Sequence, residues 1–238
     1  MKAWYLDHSG FAVETAEHFL IFDYYRDTPA GGGLAQGVIR PEQLPAGKQL
    51  VVFVSHAHHD HYNPVVLSWR RQRPDIQYLF SSDLPGSEGS RIRPGQRMEL
   101  AGLTALALPS TDQGVAFAVT CDGKKIYHAG DLNWWHWNGE SDEWNRGMAR
   151  DYPAALAPLE GKPADLAFVP VDPRLEDKAL WGLNYFMDHV GARWVAPMHF
   201  WGDYTIFQRL RTEDCTLPYR ARILGPFQRG EQLIPEEP

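Results

Sequence analysis

The segment SHAHHDHYNP, residues 55–64, places four histidines and an aspartate within six consecutive positions, His56 to His61. Neutral imidazoles and carboxylates are the ligands that zinc and its transition-series neighbours take, usually four to six around each ion. His56 and His58 are two apart, so at the end of an extended strand their side chains face the same way. Asp60 and His61 follow where the chain turns, and there they can reach a second ion. A surface histidine cluster would give the same composition by chance. The H-x-H-x-D-H spacing directly behind the apolar run QLVVFVS favours a metal centre instead. The chemistry open to such a centre is metal-assisted hydrolysis, because a metal lowers the pKa of water from ~15.7 toward ~7.

Such a loop has to be carried by strands, and the first half of the chain supplies them as short apolar runs between turns. The segments AWYLD, FAVET, FLIFD, QLVVFVS, IQYLF, RMEL, LTALALP, VAFAVTC and KKIYHAG read as strands. Asp122-Gly123 between the last two is a hairpin signal, since both residues tolerate the positive φ of a tight turn. QLVVFVS is apolar throughout, as expected of a strand covered on both faces. Helices are expected in NPVVLSWRRQ, in ESDEWNRGMARDYPAAL with a break before Pro153, in KALWGLNYFMDHVG and in DYTIFQRLRT. The strands LAFVPV and RWVAPMHF bracket the third of these helices, and a final strand is expected near ARIL. Residues 26–45, rich in glycine and proline, read as a mobile loop, either over a site or as a spacer. Two halves, each with a sheet and outer helices, give an α+β fold with a four-layer αββα sandwich, one domain over residues 1–238.

Together these motifs resemble the metallo-β-lactamase superfamily, whose signature is H-x-H-x-D-H after a hydrophobic strand. LDHSGFAVET and LIFD are similar to its opening strands, VFVSHAHHDH to its metal loop, KIYHAGD to its later strand ending in a bridging aspartate, and VAPMHF to its last histidine motif. The forms DHSGF and YHAGD look most like the branch containing ascorbate-6-phosphate lactonase. The resemblance implies that His56 and His58 bind a first metal, that Asp60, His61 and His199 bind a second, and that Asp131 bridges. It also implies the αββα fold, and it puts Asp23 where the family has an aspartate that receives the N–H of a metal-bound imidazole. One position departs from the pattern. The family's third histidine for the first metal follows the strand matching LTALALP, but here the loop reads PSTDQGVAF. Asp112 is the strong ligand type available there, so the first site is expected to be carboxylate-completed, weak or empty.

Further residues cluster around this expected centre. His8 and His128 stand at strand ends near it, as partners of ligands or of substrate rather than as ligands. Asp60 is the candidate to orient the attacking water or take its proton. Trp134, Trp135 and Trp137 surround His136, either as anchors packed in the core or as an aromatic wall from which His136 protonates a leaving group. Arg174 follows a strand aimed at the site and is read either as a clamp for a carboxylate or phosphate or as part of a surface ion pair.

Composition narrows the partners. A net charge of −7 argues against nucleic acid, whose binders are normally basic. Cys121 and Cys215 lie far apart and outside any C-x-x-C pattern, which points to a reducing, cytoplasmic setting without a disulfide framework. No apolar window approaches the length of a membrane span. The expected cofactor is zinc, one or two ions, with manganese or iron as alternatives, and the expected partner is a small-molecule substrate. The reading is hydrolysis of a small ester, lactone or phosphoester. The runners-up are a nucleotide phosphodiesterase and a metal-binding or sensing protein without turnover, and homo-oligomerisation is left open.

Overall fold

In the computed structural model, which describes residues 1–234, twelve strands pair into two six-stranded sheets. The first holds β1 (Lys2–Asp7), β2 (Gly10–Glu14), β3 (His18–Phe22), β4 (Gln49–Val54), β5 (Gln77–Ser81) and β6 (Ser90–Ile92), in that spatial order. The second holds β7 (Arg97–Leu100), β8 (Leu103–Pro109), β9 (Val115–Cys121), β10 (Lys124–His128), β11 (Ala164–Pro170) and β12 (Ala192–Met198), also in sequence order. Apolar runs fill the space between the sheets. Phe11 of β2 stacks on Phe168 of β11 with centroids 4.1 Å apart, and Phe53 of β4 meets Phe117 of β9 edge-on at 5.2 Å. Such ring pairs add about 0.5–1.5 kcal/mol each beyond the area they bury.

Helices cover both outer faces, completing the expected αββα layers. Against the first sheet lies α1 (Val65–Ser68) with the 3₁₀ turn after it, and there Trp69 packs on Tyr24. Against the second lie α2 (Asp142–Leu156) and α3 (Trp181–His189), where Phe186 stacks on Tyr127 of β10. The helix α4 (Ile206–Thr212) follows β12. The expected stripe of α3, namely Leu180, Leu183, Phe186, Met187 and Val190, is buried throughout.

Some local expectations need correction. Pro153 does not break α2, which runs through it to Leu156. A proline there leaves the carbonyl of Ala149 without its helical partner, but Ala149 lies on the exposed face. Tyr152, Ala155 and Leu156 are buried, and Tyr152 Oη donates to Gly182 O, so tertiary packing holds the turn. The segment ARIL is no strand: it touches β12 through one isolated bridge, Val195–Ile223, and part of it is a 3₁₀ turn. Residues 26–45 carry two 3₁₀ turns and bury Val38 and Ile39. Arg229 pins this stretch by donating to Arg26 O, Thr28 O and Gly37 O, and it also reaches Leu6 O in β1 at 2.6 Å. Both cysteines are free thiols, Cys121 buried and Cys215 exposed. Among the described residues no helix is long and apolar enough to cross a membrane.

The topology decides where chemistry can gather. Strands β3 to β6 run parallel, as do β10 to β12. In open parallel sheets, ligands bind beyond the carboxyl ends of the strands. Here those ends deliver Asp23 after β3, His56 after β4, Asp131 after β10, Asp172 after β11 and His199 after β12 to one end of the sandwich. His18, at the start of β3, and Asp122, in the β9–β10 turn, mark the other end.

Candidate metal centre

At the carboxyl ends of the strands the loops converge on Asp131. Its Oδ2 lies 3.3 Å from His56 Nε2, and its Oδ1 lies 3.1 Å from His61 Nε2 and 3.4 Å from His199 Nε2. The aspartate thus stands between two groups of ligand atoms. On one side are His58, Asp112 and Asp131, together with His56. On the other are His8, Asp60, His61 and His199, each offering one atom within 4.8 Å of the rest. The buried polar atoms of the site fit a metal ion. His8 Nε2, His61 Nε2 and Asp131 Oδ1 are buried without a hydrogen-bond partner among the described residues. The contact between His61 and Asp131 has the distance of a hydrogen bond but not its alignment. Buried polar atoms are normally paired, so the unpaired state of these three suits a shared cation.

Outer partners fix which nitrogen of each ring faces inward. Asp23 Oδ2 accepts from His61 Nδ1 at 2.7 Å and from Ser55 Oγ at 2.6 Å, and Ser55 Oγ lies 2.9 Å from His56 Nδ1. A hydroxyl that donates to Asp23 is free to accept from His56. One buried carboxylate thereby orients two imidazoles with Nε2 toward Asp131. Asp172 does the same for His199, accepting from its Nδ1 at 3.0 Å. His128 donates from Nε2 to Ser9 O and accepts the Gly130 N–H at Nδ1, so it is committed to the frame.

Backbone strain collects at the same end. His8, Asp23, His199 and Trp201 are non-glycine residues at φ between 44° and 62°. Such positions persist only where the surroundings impose them. Two glycines permit the close approach of the loops. At Gly114 a Cβ would lie 1.9 Å from Ser55 O, and at Gly130 one would lie 2.7 Å from Ser55 Cβ. Both have positive φ, and both press their loops onto the start of the histidine segment.

The electrostatics favour positive charge. Asp23, Asp131 and Asp172 are buried, and Asp60 nearly so, and isolated carboxylates are costly there. Burial by itself raises the Asp131 carboxyl, yet His61, His56 and His199 hold it well below the usual carboxylate value. Burial likewise opposes the Asp60 anion, but His8 and His61 outweigh it and lower its pKa. His61 shows the converse: burial disfavours its cation, while Asp131 and Asp23 raise its pKa well above the ordinary value. Burial keeps His8 lowered despite its contact with Asp60. At Asp172, burial is overcome by His199 and Arg174, which bring the carboxyl down to about 2. A pocket that sustains this much buried negative charge suits a cation at its centre.

Of the residues picked out in the sequence, the fold gathers His56, His58, Asp60, His61, Asp112, Asp131 and His199. Asp112 is exposed, on a loop tied to the 131–137 segment by Thr111 Oγ1, which donates to Asn133 O at 2.6 Å. His136 is not brought in: its ring packs on Trp181, and it is absent from the residues lining the cleft. Trp135 and Trp137 do line the cleft, whereas Trp134 packs among Tyr152, Trp181 and Tyr185. Residues 26–45 contribute nothing to that lining, so of the two readings of this stretch a loop over the site finds no support. Sequence reasoning missed His8 as a member of the second group, and it missed Asp172 entirely. The signal for Asp172 was there: LAFVPVD, like FLIFD before it, is an apolar run ending in aspartate.

Comparison with known proteins identifies the family. The model of the beta-lactamase superfamily domain matches residues 3–136, more than half of the chain. The chain belongs to this superfamily. Among curated relatives it is similar to a UPF0173 metal-dependent hydrolase of Opitutus terrae, 29% identical over an alignment 151 positions long, gaps included, that covers 55% of this chain and 63% of that protein. It is also similar to the UPF0173 metal-dependent hydrolase Ta0764 of Thermoplasma acidophilum, 25% identical across 56% of this chain and 62% of that one. The chain therefore spans less than two thirds of the curated relatives it matches. In three dimensions it resembles Igni18, a metallo hydrolase of Ignicoccus hospitalis, with a TM-score of 0.64, 18% identity and 99% of each chain covered. That likeness carries the metallo-β-lactamase fold.

Proposed function

We propose that this protein is a metal-dependent hydrolase of a small ester, lactone or phosphoester. One observation carries the reading: buried imidazole and carboxylate atoms without protein partners converge on Asp131, at the floor of a cleft of about 470 Å³. A site for metal storage would be closed over its ions, whereas His58, Asp60, Asp131 and His199 all line the open cleft. Asp60, His61 and His199, with His8 beside them, would hold one ion. His56, His58 and Asp112 would hold another, with Asp131 shared. When bound, the metal supplies a Lewis acid and acidified water at neutral pH. Asp60, lining the cleft with a lowered pKa, is an anion poised to orient water or receive its proton. Asp23 and Asp172 keep the imidazoles in the tautomer that binds metal. Zinc suits this mixed donor set, and the carboxylate of Asp112 shifts the first position toward harder ions such as manganese.

Within this class, the lactonase-like branch rests on the motifs DHSGF and YHAGD alone. The test is turnover of generic esters, lactones and phosphodiesters by protein loaded with zinc or manganese, before and after chelation. Activity that is lost on chelation and restored by metal supports hydrolysis. Tight metal binding without turnover of any of the three classes would leave a sensing or storage role instead, and a phosphodiester preference would favour the nucleotide reading.

A further inference from the structure

The cleft has a second chemical character besides its metal-ligand floor. Four of its twelve lining residues are tryptophans, Trp135, Trp137, Trp144 and Trp201, and its one lysine or arginine is Arg174. Trp144 and Trp201 are 44% and 48% exposed. Large exposed apolar groups that line a cleft mark contact surfaces rather than packing. Trp135 and Trp137 stack nearly parallel, 4° apart in plane, and extend the wall inward.

Arg174 is held in a way that a surface ion pair does not need. Its guanidinium lies 4.8 Å from the ring of Trp201 and 5.6 Å from that of Trp137. Asp172 accepts from its Nε at 3.0 Å and from its Nη2 at 2.5 Å. One edge is therefore engaged and two indole rings lie within cation–π reach of the guanidinium, while Nη1 has no hydrogen-bond partner among the described residues. The side chain remains 52% exposed. A guanidinium fixed on one edge and held over indole rings presents its other donors to a planar or tetrahedral oxyanion at little entropic cost. Asp172 Oδ2 also accepts from His199 Nδ1 and Trp201 Nε1. The free edge of Arg174 is thus separated from a candidate metal ligand by a single carboxylate.

We infer that the substrate is an oxyanion, a carboxylate or phosphate monoester group, carried by a flat ring. Arg174 takes the anionic group while the ring lies on the tryptophan wall. This deepens the hydrolase reading and rests on it for the bond that is cut, but binding can be measured without turnover.

The test uses metal-replete protein and isothermal titration with 1-naphthaleneacetate, its neutral amide, cyclohexaneacetate and 1-naphthyl phosphate. The naphthalene acid should bind about tenfold or more tighter than the amide, the range expected of a charged hydrogen bond. Arg174→Gln should abolish that preference. Trp144→Ala should lower the advantage of naphthalene over cyclohexane by about 3- to 10-fold. The phosphate arm shows which oxyanion is preferred. Equal binding of acid and amide overturns the inference, as does an acid preference that survives in Arg174→Gln, because the anion is then going to the metal. Should Arg174→Gln lose metal or fold poorly, Arg174→Lys with wild-type metal content decides. It keeps the charge without the fork, so the preference should fall several-fold, and an undiminished preference overturns the inference. If the protein hydrolyses esters but binds the naphthalene acid and its amide equally, the hydrolase reading stands and this one falls. If the acid preference depends on Arg174 but no ester, lactone or phosphodiester is cleaved, the converse holds.

Discussion

Two histidine–carboxylate clusters sit at opposite ends of the sandwich, and by composition alone either would pass for a metal site. At one end His18, Cys121 and Asp122 bring ligand atoms within 4.8 Å of one another, just as His8, Asp60, His61 and His199 do at the other. The ion pairs are alike in length, 3.0 Å for His18–Asp122 and 2.7 Å for His61–Asp23. Satisfaction separates them. His18 gives one nitrogen to Asp122 and the other to Ala101 O, and Asp122 Oδ2 also accepts from Thr15 Oγ1 and the Glu17 N–H. The cluster fastens β3 of one sheet to the β7–β8 and β9–β10 turns of the other. At the Asp131 end, His8 Nε2 and His61 Nε2 are buried without a hydrogen-bond partner among the described residues, and the hydrogen-bond contact of His56 Nε2 is only with another imidazole, His58 Nδ1 at 3.0 Å. The number of ligand-type residues says little; whether their ligand atoms are already spoken for says much.

The sharpest way to break this contrast is a paired substitution. His61→Ala should lower metal affinity at least about 100-fold, since even the partners of ligands cost 10- to 100-fold. His18→Ala should leave affinity and stoichiometry unchanged while lowering the unfolding temperature. Equilibrium dialysis with metal analysis reads the first effect and thermal unfolding the second. Comparable metal loss in both variants would erase the distinction.

Within the metal end, Asp112→Ala should reduce bound metal from two ions per chain toward one and leave the fold intact, because Asp112 lies exposed on its loop. The stronger position should keep its ion, held by Asp60, His61 and His199. Anomalous diffraction from crystals of the wild type checks the assignment: two equally occupied ions, both remote from Asp112, would sink it.

The smallest expected effect belongs to the fastening end. Asp122→Asn should cost about 1–2 kcal/mol, roughly 2–8 °C in unfolding midpoint. Burial tends to raise the Asp122 carboxyl, but Thr15, the Glu17 N–H and His18 hold it at about 2, against ~3.9 in an unfolded chain. A depressed pKa contributes stability that is complete above ~3.9 and is lost as pH falls through about 2. The gap between wild type and Asp122→Asn should therefore narrow from pH 5 to pH 2.5. A constant gap would mean that the asparagine acts through shape rather than charge.

Much of this arrangement was legible in the chain itself, for reasons that differ by element. LTALALP and VAFAVTC are strands over the residues expected, because each lies on one side of a tight turn that fixes its limits. The histidine loop was legible because its spacing is local. Asp172 left only the local trace of an apolar run ending in aspartate, and His8 no sign of its place beside Asp60, since both roles arise when β11, β12 and the β1–β2 turn meet in space. Pro153 misled because local propensity bars proline from helices, whereas the packing of Tyr152 and Leu156 overrides it. His136 misled in the opposite sense: proximity in sequence to Asp131 did not survive the turn of the chain, which laid its ring on Trp181.

The grip of Arg229 on Leu6, Arg26, Thr28 and Gly37 has a consequence in time. Leu6 lies two residues before His8, so the turn carrying that imidazole is steadied by a residue translated long after it. During synthesis the histidine loop leaves the ribosome early, yet its neighbour from the first strand waits for a partner not yet made. Competence to hold metal at full strength is thus gained late, and the nascent chain passes through its most exposed stages with the centre unfinished.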